Sequence, residues 1–292
     1  MPDPWRFEKL KLASGLHMRI ARAGSPAAPL VVMLHGFPEC WYSWRHQLRA
    51  LSDRFDCVAP ELRGYGETDA PVGVANYALD KLVGDVADLI HALGRERAMV
   101  IGHDWGGAIA WATALMRPEL VARLAVLNCP HLKRFSEELR HNFRQMRRSW
   151  YMLFFQLPAL PEWALRRKNF ALLDAVLRDG TFNKGVISDA DLRYFREAFR
   201  NPYSATAAIN YYRANFRSGF MARDNGWIDR KIAAPTMLIW GEQDFALGVE
   251  LTGDMERLFA GEFVLRKIAD AGHWVQQEKP ELVNRYLGEF LI

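Results

Sequence analysis

The sequence predicts a doubly wound α/β protein whose mostly parallel sheet is interrupted once by a helical insertion. Three observations predict it. Short continuous apolar runs, which suit strands buried on both faces of a parallel sheet, alternate with stretches of helical period. The alternation lapses after Pro130 and resumes at Pro235. One apolar run also ends in Gly102-His103-Asp104-Trp105-Gly106, directly before a helical stretch.

Taken in order, residues 5–22 read as two short strands turning at Ser14 and Gly15. Residues 29–34 and 56–60 are strand-length apolar runs, the second followed by the loop Arg63-Gly64-Tyr65-Gly66. Leu82, Val83, Val86, Leu89 and Ile90 place a helix over 80–93, stopped by Gly94. A strand at 98–101, a helix at 106–116 and a strand at 124–127 follow. From His131 to about Arg223 the chain is rich in Arg, Phe, Trp and Tyr, helical in period and free of buried-strand runs. Strands at 235–240 and 263–267 and a helix from Glu281 complete the pattern. The expected division is core 1–130, helical cap 131–223 and core 224–292.

Composition narrows the class. With 292 residues, 50% apolar and 25% charged, the chain reads as a soluble globular core with one insertion. Cys40, Cys57 and Cys129 are odd in number and widely spaced, which argues against a disulfide framework and for a reducing cytoplasm. The first residues lack the apolar stretch of a signal peptide, and no run reaches the ~18 apolar residues of a membrane helix. No membrane insertion is expected. The net charge of +4 is mild, and the arginines between 140 and 168 (Arg144, Arg147, Arg148, Arg166, Arg167) read as a solvated helical face. Nothing resembles a nucleic-acid module. No HExxH pair, GK[ST] loop or complete dinucleotide fingerprint is present, so neither metal nor cofactor is expected.

The chemistry centres on Asp104. G-x-nucleophile-x-G between a buried strand and a helix is a nucleophile elbow, whose small flanking residues permit a sharp turn. Asp104 could alternatively serve only as a helix N-cap, but partners follow in the chain order of a triad. Asp244 lies just past the strand ending at Trp240, and His273 lies beyond the strand at Val264, both at strand C-terminal ends. Asn128-Cys129-Pro130-His131 offers no carboxylate, and Glu242 is second choice to Asp244. A carboxylate, ionised near neutrality, can displace a leaving group at saturated carbon. The resulting ester would be hydrolysed by water that His273 deprotonates and Asp244 helps to orient. Backbone N–H groups of Phe37 and Trp105 would hold the oxyanion, and a cis peptide at Pro38 would aim the first of them.

His35-Gly36-Phe37-Pro38-Glu39, Trp41-Tyr42-Ser43-Trp44, Arg63-Gly64-Tyr65-Gly66-Glu67, Gly102-His103-Asp104-Trp105-Gly106-Gly107 and Gly272-His273-Trp274 resemble the soluble epoxide hydrolases from about residue 8 to the C-terminus. The resemblance implies an α/β-hydrolase fold with an inserted helical cap and two cap tyrosines that grip the epoxide oxygen. Trp150-Tyr151-Met152 and Ile209-Asn210-Tyr211-Tyr212-Arg213 look like the two segments, which places the pair at Tyr151 and Tyr212. Phenols of pKa ~10 suit this task, because an opening epoxide generates a far more basic alkoxide. The family pattern also implies that Glu39 and His103 hold the hydrolytic water. Phe37, Trp41, Trp105, Phe154 and Phe155 would line an apolar pocket for a small hydrophobic epoxide.

Related chemistries are disfavoured. A haloalkane dehalogenase would carry a halide-binding side-chain amide where Phe37 stands, and a fluoroacetate dehalogenase an Arg in place of Trp105. A non-catalytic binding protein on this scaffold would tolerate an incomplete triad. Monomer and homodimer remain equally compatible with the sequence.

Overall fold

The computed structural model describes residues 4–218 and 226–292. Eight strands form one sheet: β1 (Trp5–Lys11), β2 (His17–Ala23), β3 (Leu30–Leu34), β4 (Asp56–Pro60), β5 (Ala98–His103), β6 (Val121–Leu127), β7 (Thr236–Gly241) and β8 (Phe263–Ile268). Their spatial order is β1-β2-β4-β3-β5-β6-β7-β8. β2 pairs antiparallel with both β1 and β4, and every other pairing is parallel. Helices α1 (Arg45–Leu51), α2 (Leu79–Ala92) and α3 (Trp105–Met116) fall between the early strands. This is the doubly wound sheet expected from the alternating pattern, in the α/β-hydrolase arrangement that the resemblance implies.

The central strands are buried along their whole length because both faces are covered. All five residues of β3 and all six of β5 and β7 are buried. Each fully buried Val, Leu or Ile contributes about 1.5–3 kcal/mol. Strand limits differ from the sequence expectation at the ends: β5 runs on to His103, and β6 begins at Val121. α1 and the short α10 (Val275–Glu278) were not legible in the pattern, whereas the terminal α11 (Pro280–Phe290) was.

Between β6 and β7 the chain forms six helices among the described residues: α4 (Leu132–His141), α5 (Phe143–Arg148), α6 (Trp150–Phe154), α7 (Leu160–Gly180), α8 (Asp189–Glu197) and α9 (Ser204–Ser218). α7 is broken at Arg167–Phe170, where the backbone leaves helical geometry. The expected end of the insertion at Arg223 lies outside the described residues. The three cysteines are free and buried. Among the described residues, no helix is long and apolar enough to cross a membrane.

Candidate active site

Five adjacent parallel strands deliver the site from one edge of the sheet. β3 leads into His35–Glu39, β5 into Asp104, β6 into Asn128, β7 into Asp244 and β8 into His273. In open α/β sheets this C-terminal edge is where ligands bind. Asp104 sits at φ 50°, ψ −119°, a conformation that L-residues rarely adopt. Its neighbours must be small: a Cβ on Gly106 would stand 2.0 Å from the Leu34 carbonyl oxygen, and one on Gly36 would stand 2.6 Å from Asp104 Oδ1. The turn therefore brings the Phe37 N–H to Asp104 Oδ1, to which it donates at 2.8 Å. The Phe37–Pro38 peptide is cis. Trp105, the first residue of α3, follows the carboxylate directly.

His273 lies between two carboxylates. Its Nδ1 is 2.7 Å from Asp244 Oδ2, and its Nε2 is 3.6 Å from Asp104 Oδ2. Asp244 is itself fixed, since Oδ1 accepts from the N–H groups of Ala246 (2.8 Å) and Leu247 (2.9 Å), and Oδ2 accepts from Asn128 Nδ2 at 2.8 Å. Burial raises the Asp244 pKa, but His273 and these donors outweigh it and hold the group below its usual range. Burial pulls His273 down, yet the charge and hydrogen bonds of Asp244 and Asp104 lift it well above the ordinary imidazole value. Both carboxylates thus favour the protonated imidazole.

Glu39 and His103 lie behind the nucleophile, both wholly buried. His103 Nδ1 is 2.6 Å from Glu39 Oε2, and its Nε2 is 2.8 Å from the His273 carbonyl oxygen, to which it donates. Glu39 also accepts from Gly36 N–H (3.0 Å), Ser43 Oγ (2.6 Å), Gln276 (3.3 Å) and Gln277 (3.1 Å). Burial pushes this carboxyl up, but His103 and Ser43 bring it down to about 2. The pair thereby ties the Phe37 loop, the elbow and the His273 loop together. His35 is the opposite case. Burial lowers it to about 4, and the neutral ring bridges the Gly36 carbonyl and the Leu62 N–H.

Tyr151 on α6 and Tyr212 on α9 face one another, ring centroids 5.9 Å apart, and line a cavity of about 700 Å³ with Asp104 and His273. Burial and the Asp104 charge raise both phenols above their usual pKa, so both remain protonated donors. Tyr212 packs edge-on against Phe37 (5.6 Å) and Trp105 (5.0 Å), whereas the neighbouring Tyr211 turns away to donate to the Arg63 carbonyl at 2.8 Å. Arg213 links the two tyrosine segments, donating from Nε to the Phe155 carbonyl (3.0 Å) and pairing with Glu162 at 2.5 Å.

Of the apolar residues expected around the substrate, Phe37 and Phe155 line this cavity, and Trp105 lines the smaller pocket beside it that shares Asp104 and both tyrosines. Two do not. Trp41 packs against Trp5, Phe7 and Tyr194 over a separate depression, since the turn at Trp41–Trp44 points it towards β1. Phe154 packs on Trp150 and Phe155 outside the lining. His273 bonds Asp244, not Glu242. Asn128, Gln276 and Gln277 were not foreseen; only Asn128's place at the end of β6 marked it. Among the described residues, no group of three or more His, Cys, Asp or Glu side chains could hold a metal ion.

This edge-of-sheet triad over an elbow defines an α/β hydrolase, and the alpha/beta hydrolase fold model matches residues 29–280. Human epoxide hydrolase 4 is 38% identical over 95% of this chain and 76% of that protein. Epoxide hydrolase A of Mycobacterium tuberculosis is 32% identical over 97% of each chain. The crystal structure of a Bacillus megaterium epoxide hydrolase in complex with an inhibitor superposes with TM-score 0.90 at 31% identity, covering 97% of this chain and 99% of that one. The chain belongs to the α/β-hydrolase fold family, among the epoxide hydrolases.

Proposed function

We propose that this chain hydrolyses epoxides to vicinal diols through an ester on Asp104. The observation that carries this reading is the meeting of a carboxylate, a histidine and two protonated phenols in one cavity lined largely by aromatic and aliphatic side chains. Asp104 Oδ2 attacks an oxirane carbon, the carbon–oxygen bond breaks, and the departing oxygen takes a proton from Tyr151 or Tyr212. Esterification removes the Asp104 charge that favours the protonated ring, so His273 passes its proton by way of solvent to the phenolate and stands neutral, able to accept one from water. That water gives a proton to His273 and attacks the Asp104 carbonyl carbon. The oxyanion forms on Oδ1, which already accepts from Phe37 N–H, with Trp105 N–H as the second donor. The diol oxygen leaves with the proton from His273, and Asp104, left as a carboxylic acid, returns its proton to the imidazole, which restores the starting state.

In this reading residues 131–223 form the cap over core segments 1–130 and 224–292, and the buried free cysteines fit a cytoplasmic enzyme. Glu39 and His103 act by holding the three catalytic loops in register and shaping where the water sits. Replacing His273 tests the division of labour. His273→Gln should accumulate an adduct equal to the substrate mass on the intact protein, whereas an unmodified protein under saturating styrene oxide would refute the covalent route.

A further inference from the structure

The outer side of the inserted helices carries apolar and basic side chains together. Of the sixteen large apolar side chains that stand exposed among the described residues, seven fall between residues 143 and 163 of the 292-residue chain. They take the outward side of α5, α6 and the first turn of α7, because Gln145, Met152, Phe155 and Leu165 turn inward and hold the segment to the protein. Trp150, Leu153 and Leu157 follow helical spacing, as do Leu160 and Trp163. Arg213 binds the stretch into one piece, reaching the carbonyls of Phe155 and Leu157 and the carboxylate of Glu162. Single exposed apolar residues are ordinary on a protein surface, but a contiguous run of them marks a contact surface.

The charge of this stretch is one-sided. Residues 139–173 hold seven Lys or Arg side chains and one carboxylate, Glu162, which is buried against Arg213. Among the described residues, the carboxylate that pairs with any of the seven is Glu250, 3.8 Å from Arg148. Arg167 lies over the Trp163 ring, 4.9 Å from its centroid, so basic and apolar groups share the surface. A second copy of this chain meeting it about a twofold axis would bring like charges face to face. An anionic lipid surface instead offers phosphates to the arginines and an apolar layer to Phe143, Trp150 and Leu153.

We propose that residues 143–163 dock this protein onto an anionic membrane surface, lying at the level of the head groups without spanning the bilayer. Arg147 and Trp150 are exposed and also line the cavity that holds Asp104, so the docking face borders the mouth of that cavity. A docked enzyme therefore takes apolar molecules dissolved in the lipid without their crossing water. Docking itself does not depend on which bond Asp104 breaks.

The test floats the protein with vesicles of phosphatidylcholine alone or with about one-third phosphatidylserine. At about 0.1 M salt the wild type should associate about tenfold more strongly with the anionic vesicles. About 1 M salt should remove most of that difference, since screening then acts over about 3 Å. The combined Leu153→Ser, Leu157→Ser, Trp163→Ser variant should lose about tenfold in association with the anionic vesicles, because its apolar side chains no longer enter the lipid. These three side chains are exposed and lie outside the Asp104 cavity, so hydrolysis of dissolved styrene oxide should stay at the wild-type rate and report a folded variant. Equal association of the wild type with both kinds of vesicle, or association with neither, would overturn the proposal whatever the variant does. A folded variant that floats like the wild type would also overturn it. Sedimentation velocity separates the rival occupant: a wild-type dimer that the substitutions dissociate, with no flotation, would assign the surface to a second copy. If the wild type floats but hydrolyses no epoxide, docking stands and the reading of Asp104 fails.

Discussion

Arg213 on α9 donates from Nε to the backbone carbonyl of Phe155 at 3.0 Å, joining the helix of Tyr212 to the segment of Tyr151. Its Nη1 pairs with the buried Glu162 at 2.5 Å, and its Nη2 donates to the Leu157 carbonyl. One side chain therefore sets the separation of the two phenols. Arg213→Gln should lower stability by about 1–3 kcal/mol, because a buried carboxylate loses its charged partner. It should also slow single-turnover alkylation. Thermal melts and stopped-flow traces check both, and wild-type values in each would remove Arg213 from the account.

The phenols themselves act on the first chemical step. General-acid groups typically contribute ~100- to 10,000-fold, so Tyr151→Phe and Tyr212→Phe should each slow alkylation within that span. Each phenol partly covers for the other, and the double variant should be nearly inactive while still folded. Alkylation at the wild-type rate in the double variant, or brisk halide release from a bromoalkane by the wild type, would favour dehalogenation instead.

His273 should report the charge on Asp104. Its pKa is lifted by both carboxylates against the lowering effect of burial. Asp104→Asn removes one source of the lift and leaves Asp244, so the imidazole pKa should fall in the variant. Nuclear magnetic resonance titration of the His273 ring in the two proteins would show the direction, and an unchanged midpoint would dissociate the base from the nucleophile.

Much of this architecture was legible in the sequence for a physical reason. Strands buried on both faces, such as Leu30–Leu34, must be apolar throughout, and an elbow needs glycines where Cβ atoms would collide. Asp244 stood out because it follows such a strand, and His273 because it follows the strand at the sheet edge, β8. The supports did not, because Asn128, Gln276, Gln277 and Arg213 act across separations of 58 to 238 residues that no local pattern records. Trp41 lies near the motif in sequence but packs towards Trp5 and Phe7, since nearness along the chain does not fix direction. The arginines read as a solvated helical face do stand largely exposed, although Arg144, Arg147 and Arg148 also border the cavity, which helical spacing alone does not show.

The central claim is that Asp104 forms the ester and that water attacks the carbonyl of the enzyme. A single turnover of excess enzyme with styrene oxide in water enriched in heavy oxygen tests it most directly, with peptide mass spectrometry reading the Asp104 carboxylate. The account predicts heavy oxygen in Asp104 and the original light oxygens in the diol. Heavy oxygen in the diol after one turnover, with Asp104 unlabelled, would contradict it.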